Sequence, residues 1–209
     1  MKRKITCLCE SVFEVDVPDE IDLDQTPAYM EEIQNGSFLN FICPGCAKKH
    51  KPEFPLIVYW PLKNLKLEVF PELDRGEFYR RKVQPVNESS YKLETIISFP
   101  EMAERLAVIK DGFEPLPIEA IKYQLGLKAE EQYPDAEMEV QYYGSDKNSI
   151  EFHIYGIKED QSAVVKVPLS MYKKTLEDYT ANPKKEIFAI LRVNSYLSYK
   201  NTMRPEELK

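Results

Sequence analysis

Histidine and glycine are scarce in this chain, and their scarcity excludes several kinds of active site. The 209 residues include two histidines, His50 and His153, and seven glycines. Two histidines cannot build a histidine-rich catalytic metal centre, and no His-Glu-x-x-His motif is present. The glycines do not cluster, so the chain lacks a glycine-rich phosphate-binding loop. No catalytic constellation emerges from the remaining residues, and the sequence predicts a protein that is not an enzyme.

Long apolar runs are also lacking. No run approaches the ~20 apolar residues that a membrane-spanning helix needs. Lys2-Arg3-Lys4 is similar to the start of a signal peptide, but the apolar stretch that follows is far shorter than the usual ~7–15 residues. We therefore expect a cytoplasmic protein with no membrane association. The formal net charge of −7 argues against a general affinity for nucleic acid or anionic lipid.

The charge is unevenly distributed around the cysteines. Residues 10–32 carry nine acidic residues and no Lys or Arg. All six basic residues of the first sixty flank the cysteines: Lys2, Arg3, Lys4, Lys48, Lys49 and Lys51. We favour the interpretation that these cations offset a four-thiolate zinc centre, whose formal charge is −2. The alternative is an anion-binding patch, in which Lys48, Lys49 and Lys51 would bind nucleic acid.

The cysteines themselves occur as two close pairs, Cys7-Leu8-Cys9 and Cys43-Pro44-Gly45-Cys46, which use all four in the chain. In a reducing compartment, clustered cysteines more often bind metal than form disulfides. A structural zinc site needs four soft donors in a tetrahedron, and two turns on separate hairpins provide them. The sequence thus predicts one structural Zn²⁺ per chain, held by Cys7, Cys9, Cys43 and Cys46 in a zinc ribbon.

The two turns are not equivalent. Proline fixes one backbone angle in Cys43-Pro44-Gly45-Cys46, and we expect Gly45 to supply a positive one. Only Leu8 separates Cys7 from Cys9, but residues i and i+2 of an extended strand point the same way, so both thiolates can reach one ion. His50 is a possible substitute ligand, although we prefer to see it as an exposed residue in a basic turn. A redox dithiol at Cys43 and Cys46 and a set of plain buried thiols are less favoured alternatives.

Hydrophobic periodicity and turn residues predict an α+β fold with two domains. We expect a zinc ribbon with antiparallel hairpins over residues 1–72 and an α+β domain with an antiparallel sheet over 90–209, joined by a linker at 85–90. Strands are predicted at 11–17, 37–43, 51–59, 65–70, 137–143, 149–155 and 163–167. Helices are predicted at 27–35, 73–82, 99–110, 117–128 and 170–179. Residues 91–98 favour a short strand or the approach to a helix, and 187–199 suit either type.

The first 70 residues resemble the CpXC family, a group of prokaryotic proteins with two Cys-Pro-x-Cys motifs separated by a strand, a helix and a strand. The resemblance rests on Ile5-Thr6-Cys7 with Cys9, Phe13-Glu14-Val15, Val17-Pro18, Ile21-Asp22, Gly36-Ser37, Phe41-Ile42-Cys43-Pro44-Gly45-Cys46 and Pro55-Leu56. Weaker similarities follow at 109–112, 118–122 and 149–152. The first motif departs from the family pattern because it lacks the proline and one residue. The resemblance implies the fold and the metal site and carries no activity.

Three hypotheses about function follow. The leading one is a non-enzymatic, zinc-binding protein whose ribbon acts as a protein-interaction or regulatory module with an unknown protein partner. The second is a nucleic-acid-binding ribbon, which the six basic residues motivate. The third is a thiol redox or zinc-release sensor, which the short Cys7-Leu8-Cys9 turn motivates.

Overall fold

The computed structural model describes residues 1–80, 91–158 and 161–203, and it confirms the α+β class. The chain divides into two compact units, Met1–Ala103 and Glu104–Lys209. The predicted domain ranges, 1–72 and 90–209, have different bounds from these two units. They stay a prediction, because the linker predicted at 85–90 lies outside the described residues. No helix among the described residues has both the length and the apolar composition needed to cross a lipid bilayer.

The first unit begins with a ribbon of two antiparallel hairpins, as predicted. Strands β1 (Lys2–Thr6) and β2 (Val12–Asp16) form one hairpin, and Cys7 and Cys9 lie in its turn. The other hairpin joins β4 (Phe41–Ile42) to β5 (Lys49–His50) around Cys43 and Cys46. The strand predicted at 37–43 is therefore only two residues long. The strand that leaves the second turn is Lys49–His50, whereas the strand predicted at 51–59 begins only at Leu56.

A mixed sheet in the same unit contains β3 (Glu20–Asp22), β6 (Leu56–Trp60), β7 (Leu65–Phe70) and β8 (Lys92–Ile97). These strands lie in the order β8-β7-β6-β3. Strands β6 and β7 are antiparallel, whereas β3 pairs with β6 and β8 pairs with β7 in parallel. Alternate residues of β6 and β7 are buried, as expected for a sheet with one face in the core. Helices α1 (Ala28–Gln34), α2 (Arg75–Arg80) and α3 (Phe99–Lys110) lie near their predicted positions.

The ribbon has little apolar core of its own. Its buried cluster consists of Ile5, Val15 and Val17, with partly buried Phe13, Leu39, Phe41 and Phe54 packed against it. A fully buried aliphatic side chain contributes roughly 1.5–3 kcal/mol, so three of them stabilise two short hairpins only weakly. A metal ion that joins the two turns would add the constraint that this core lacks.

The second unit contains the antiparallel sheet β11-β10-β9 and the long helix α4 (Pro115–Gln132). The strands are β9 (Glu139–Ser145), β10 (Ser149–Lys158) and β11 (Gln161–Pro168), which confirms the predicted hairpin and its third strand. Helices α5 (Leu169–Ala181) and α6 (Glu186–Ala189) follow. The ambiguous segment 187–199 resolves into the end of α6 and a small hairpin, β12 (Arg192–Val193) with β13 (Tyr196–Leu197).

A buried ion network lies within this second unit. The Lys122 ammonium contacts Glu104 at 2.8 Å and Glu119 at 3.3 Å, and Arg105 lies 3.5 Å from Glu119. The Lys122 and Arg105 side chains are 3% and 4% exposed, so these charges depend on one another rather than on water. Glu119 also accepts a hydrogen bond from the backbone amide of Tyr199 at 2.9 Å.

Candidate metal centre

The four cysteine sulfurs converge in the ribbon. All four Sγ atoms lie within 4.8 Å of one another. Cys7 Sγ lies 3.6 Å from Cys46 Sγ, and Cys9 Sγ lies 3.6 Å from Cys43 Sγ. Metal–thiolate bonds of ~2.3 Å in a tetrahedron place sulfurs roughly 3.8 Å apart, so the four positions fit one ion. The cysteines are free thiols, and Cys7 and Cys43 are buried whereas Cys9 and Cys46 are exposed.

The second turn is closed by backbone hydrogen bonds and one left-handed residue. The Cys43 amide donates to the Lys48 carbonyl, and the Ala47 amide donates to the Cys43 carbonyl, both at 2.9 Å. Ala47 has φ +59°, the left-handed conformation that favours glycine. The amide of Gly45 is left to donate to Cys43 Sγ at 3.4 Å.

The first turn has the same plan with one residue fewer. The Cys7 amide donates to the Ser11 carbonyl, and the Glu10 amide donates to the Cys7 carbonyl, both at 2.9 Å. Glu10, the residue after the second cysteine, is left-handed at φ +67°, as Ala47 is in the longer turn. Cys7 and Cys9 therefore reach the common centre from a tight turn rather than from the extended strand that the sequence suggested.

Gly45 is needed for a different reason from the one predicted. The expected positive φ is wrong for Gly45, since the left-handed position of this turn is Ala47. A Cβ on Gly45 would instead stand 2.2 Å from Ser11 Oγ and 3.2 Å from Ser11 Cβ. Gly45 thus allows the two turns to approach each other, which brings the two cysteine pairs within reach of one ion.

His50 is part of the centre's surroundings. It is half-buried in β5 rather than exposed in a turn, and its ring packs edge-on against Phe13 at 5.9 Å between centroids. Its Nε2 atom lies 3.2 Å from Cys7 Sγ. The four-cysteine set is complete without His50, so His50 is placed beside a ligand rather than at a vacant fourth position.

Hydrogen bonds perturb the thiols unequally. The Ser11 hydroxyl, followed by the Ser11 amide, lowers the pKa of Cys9 to about 6. The Lys48 amide lowers the pKa of Cys46, but the sulfurs of Cys9, Cys7 and Cys43 together with burial outweigh it and raise that pKa to about 12. Burial raises the pKa of Cys43, yet the amides of Gly45 and Cys46 outweigh it and the net pKa is lowered. Closely packed thiols resist joint ionisation, which a divalent cation relieves.

The basic residues of the ribbon fall into two groups. In β1, Lys2 and Lys4 lie opposite the acidic residues Asp16 and Glu14 of β2, and Lys2 contacts Glu14 at 3.9 Å. Arg3 lies 4.0 Å from Asp19. Lys2 and Lys4 therefore face acidic residues within the hairpin, and Arg3 faces one just beyond its second strand. Lys48, Lys49 and Lys51 are exposed at the second turn.

Comparison with known proteins agrees with this geometry. The family model for the CpXC protein matches residues 5–122, more than half of the chain. The chain belongs to the CpXC family. An uncharacterised protein of Treponema pallidum (strain Nichols) is 28% identical over 219 aligned positions, which cover 95% of this chain and 97% of that relative. No solved structure matches the chain. Family membership and the cysteine cluster together indicate metal binding and leave the process open.

The sequence predicts the four cysteines but not the roles of two of their neighbours. Ser11, which hydrogen-bonds to Cys9 and limits the space at Gly45, carries no motif signal. The sequence presents His50 only as a substitute ligand or an exposed residue in a basic turn. Its sequence distance of 43 residues from Cys7 hides a contact that exists because β5 lies beside the first turn.

Proposed function

We propose that this CpXC protein is a non-enzymatic zinc-binding protein whose ribbon acts as a protein-interaction or regulatory module. The observation that carries the proposal is the convergence of four Sγ atoms within 4.8 Å of one another, from two separate hairpins. Zinc suits four thiolates better than magnesium or calcium do, since those ions prefer oxygen ligands. One Zn²⁺ per chain, held by Cys7, Cys9, Cys43 and Cys46, accounts for every cysteine in the sequence.

A structural role follows from the number of ligands. Four protein ligands complete the tetrahedral coordination of zinc, which leaves no position for an activated water. The residues' own task is to hold two hairpins together where the apolar cluster of Ile5, Val15 and Val17 is small. Turnover by the purified protein that depends on Cys43 or Cys46 would contradict this non-catalytic assignment.

Exposed apolar residues beside the cysteines support the interaction role. Leu8 lies between the first two cysteines and is 85% exposed, and Ile42 precedes Cys43 and is 68% exposed. Exposed aliphatic side chains on either side of the cysteine cluster are suited to contact another protein. The partner stays unidentified.

The first alternative is nucleic-acid binding through the second turn. Its support is the exposure of Lys48, Lys49 and Lys51 next to Cys46. It predicts salt-sensitive binding to DNA or RNA that is lost when the three lysines are changed together to Glu. The acidic partners of Lys2 and Arg3 and the net charge of −7 count against it. No detectable binding at about 50 mM salt would remove this alternative.

The second alternative is a thiol redox or zinc-release sensor. Its support is the exposure of Cys9 and Cys46, because oxidation of a thiolate requires access by the oxidant. It predicts that mild peroxide ejects zinc and leaves a disulfide. Zinc that persists through peroxide treatment would count against this alternative.

Chelation of the metal tests the structural role directly. We expect a strong zinc chelator to lower the thermal stability of the whole chain, and we expect added zinc to restore that stability. The Cys43→Ser variant should behave like the chelated protein, because it removes a buried ligand. A chain that keeps its stability after the bound zinc has been stripped would contradict the structural role.

A further inference from the structure

The two turns differ in the backbone N–H donors that they offer to their first cysteine, Cys7 or Cys43. Metal-bound thiolates are stabilised by N–H donors, which offset their charge and fix their orientation. Cys43 receives such donors from its own turn, from the Gly45 amide at 3.4 Å and from the Cys46 amide. These amides are the second and third after the cysteine, and they are free because the fourth, that of Ala47, closes the turn.

The first turn has one residue fewer, and this changes which backbone amide closes the turn. The third amide after Cys7, that of Glu10, donates to the Cys7 carbonyl at 2.9 Å and so closes the turn itself. Within the part of the chain that the structure describes, Cys7 Sγ contacts Cys46 Sγ and His50 Nε2, and it receives no hydrogen bond of the kind that the Gly45 amide gives to Cys43 Sγ. Cys7 is nevertheless 3% exposed, so water contributes little to its solvation. A buried thiolate without a donor would be costly.

His50 fills this gap from the other hairpin. Its Nε2 atom lies 3.2 Å from Cys7 Sγ, within the range of an N–H to sulfur hydrogen bond. A metal-bound thiolate only accepts hydrogen bonds, so this contact requires the proton on Nε2. The edge-on packing against Phe13 and the pairing of His50 with Phe41 in the hairpin fix the ring's position.

We propose that His50 is a positioning residue of the metal centre: its Nε2–H replaces, for Cys7, the backbone donors that the one-residue-shorter turn has lost. The inference rests on the proposed metal site and extends it to a residue that is not a ligand. It also explains how a Cys-x-Cys turn can serve opposite a Cys-Pro-x-Cys turn. The shorter turn provides the sulfur, and the facing hairpin provides the hydrogen bond.

The test is metal affinity, measured on the full chain by competition with a chromophoric chelator for Zn²⁺ and for Co²⁺. We expect His50→Phe to weaken binding of both ions by about 10- to 100-fold, the usual effect of losing such a donor to a metal ligand. His50→Gln retains an N–H donor and should recover part of the affinity. His153→Phe is the matched control, because His153 lies on β10 of the other unit, stacked on Tyr143, and should leave affinity unchanged.

The Co²⁺ absorption spectrum separates a donor from a ligand. We expect wild type and His50→Phe to show the same four-thiolate ligand-field bands. Bands of a three-sulfur, one-nitrogen site in wild type that change in His50→Phe would overturn the inference, since His50 would then be a ligand. Unchanged affinity in His50→Phe would overturn it as well while leaving the metal site intact.

A variant with a longer first turn tests whether His50 compensates for the missing backbone donors. Insertion of a proline between Cys7 and Leu8 restores the longer spacing and with it the free amides. His50→Phe should cost less affinity in that background than in wild type, a coupling that a merely structural histidine would not show. Equal costs in both backgrounds would contradict the compensation. A wild-type chain that takes up neither ion would overturn the metal-site proposal together with this inference.

Discussion

Ser11 of the first cysteine turn faces Gly45 of the second. A Cβ on Gly45 would stand 2.2 Å from Ser11 Oγ, far below an ordinary contact distance. One turn therefore carries the residue that donates to Cys9, and the other carries the glycine that makes room for it. The close fit couples the cysteines of one hairpin to the backbone of the other.

The first prediction concerns this contact. We expect Gly45→Ala to destabilise the zinc-loaded protein by about 1–3 kcal/mol in urea denaturation, because Ser11 or one turn must move. Changing Ser11 to Gly in the same chain removes both crowding atoms and should restore part of the loss. The matched control is Gly76→Ala in α2, where a Cβ meets nothing within 4 Å. A loss at Gly45 no larger than that at Gly76 would refute the crowding argument.

The second prediction concerns the left-handed residue of the longer turn. Ala47 has φ +59°, a conformation that costs a non-glycine residue roughly 1–2 kcal/mol. Ala47→Gly relieves this cost and loses part of the gain to unfolded-state entropy, so we expect a net stabilisation of up to about 1 kcal/mol. Thermal denaturation of the zinc-loaded protein checks it. Ala103→Gly, in α3, is the control and should destabilise, and a destabilisation at both positions would count against the prediction.

The third prediction concerns a carboxylate that joins two segments of the first unit. Glu53 accepts hydrogen bonds from the backbone amides of Glu72 at 2.7 Å and of Phe99 at 2.6 Å. Phe99 begins α3, so its amide has no partner within the helix. We expect Glu53→Ala to cost about 1–3 kcal/mol in urea denaturation, because two amides lose a charged acceptor. Exposed Glu20 supplies the control, and Glu20→Ala with an equal cost would show that loss of negative charge alone explains the effect.

The fourth prediction concerns the buried ion network. Burial raises the pKa of Glu104 and Lys122 lowers it, with the net shift upward. We expect Lys122→Met to cost about 3–5 kcal/mol near pH 8, because Glu104 and Glu119 are left buried without their ammonium. Exposed Lys173 provides the control, since Lys173→Met removes the same charge from the surface of α5.

The stability loss caused by Lys122→Met depends on pH, and proton linkage gives the sign of that dependence. A carboxyl whose folded pKa is raised stabilises the protein at low pH, and this contribution is lost as the pH rises above its unfolded value. Removing Lys122 raises the pKa of Glu104 further. The loss caused by Lys122→Met should therefore be smaller near pH 5, where Glu104 can take up a proton, than near pH 8. Equal losses at both pH values would contradict the assignment.

Local patterns predicted most of the regular elements. The alternation in residues 137–155 predicted the β9–β10 hairpin, and Gly36, with φ +70°, ends α1 as expected. Such signals succeed because they depend on neighbours in sequence. The strand predicted at 37–43 is only two residues long because a turn precedes it, in which Leu39 is left-handed at φ +50° and the Asn40 amide donates to the Ser37 carbonyl at 3.2 Å. Pattern reasoning could not decide 187–199, where a short helix and a small hairpin follow one another.

In the candidate site, too, the sequence predicts what a local pattern encodes and leaves out what depends on contacts between distant segments. The cysteine spacing predicted which four residues converge, since paired thiolates carry a recognisable signal. The roles of Ser11, Gly45 and His50 depend on how two hairpins face each other, and a single sequence does not encode that facing in any local pattern. The expectation for Gly45 fails for the same reason: the sequence shows the conformational freedom of a glycine but not the Ser11 side chain that faces it.

The central claim is that the four cysteines hold one zinc ion, and elemental analysis of the untagged protein, with a free-thiol count before and after denaturation, tests it most directly. We predict about one zinc per chain and four thiols that react only after unfolding. A metal-free protein with four freely reactive thiols would contradict the claim, and it would mean that the shortened turn at Cys7 and Cys9 does not complete the site.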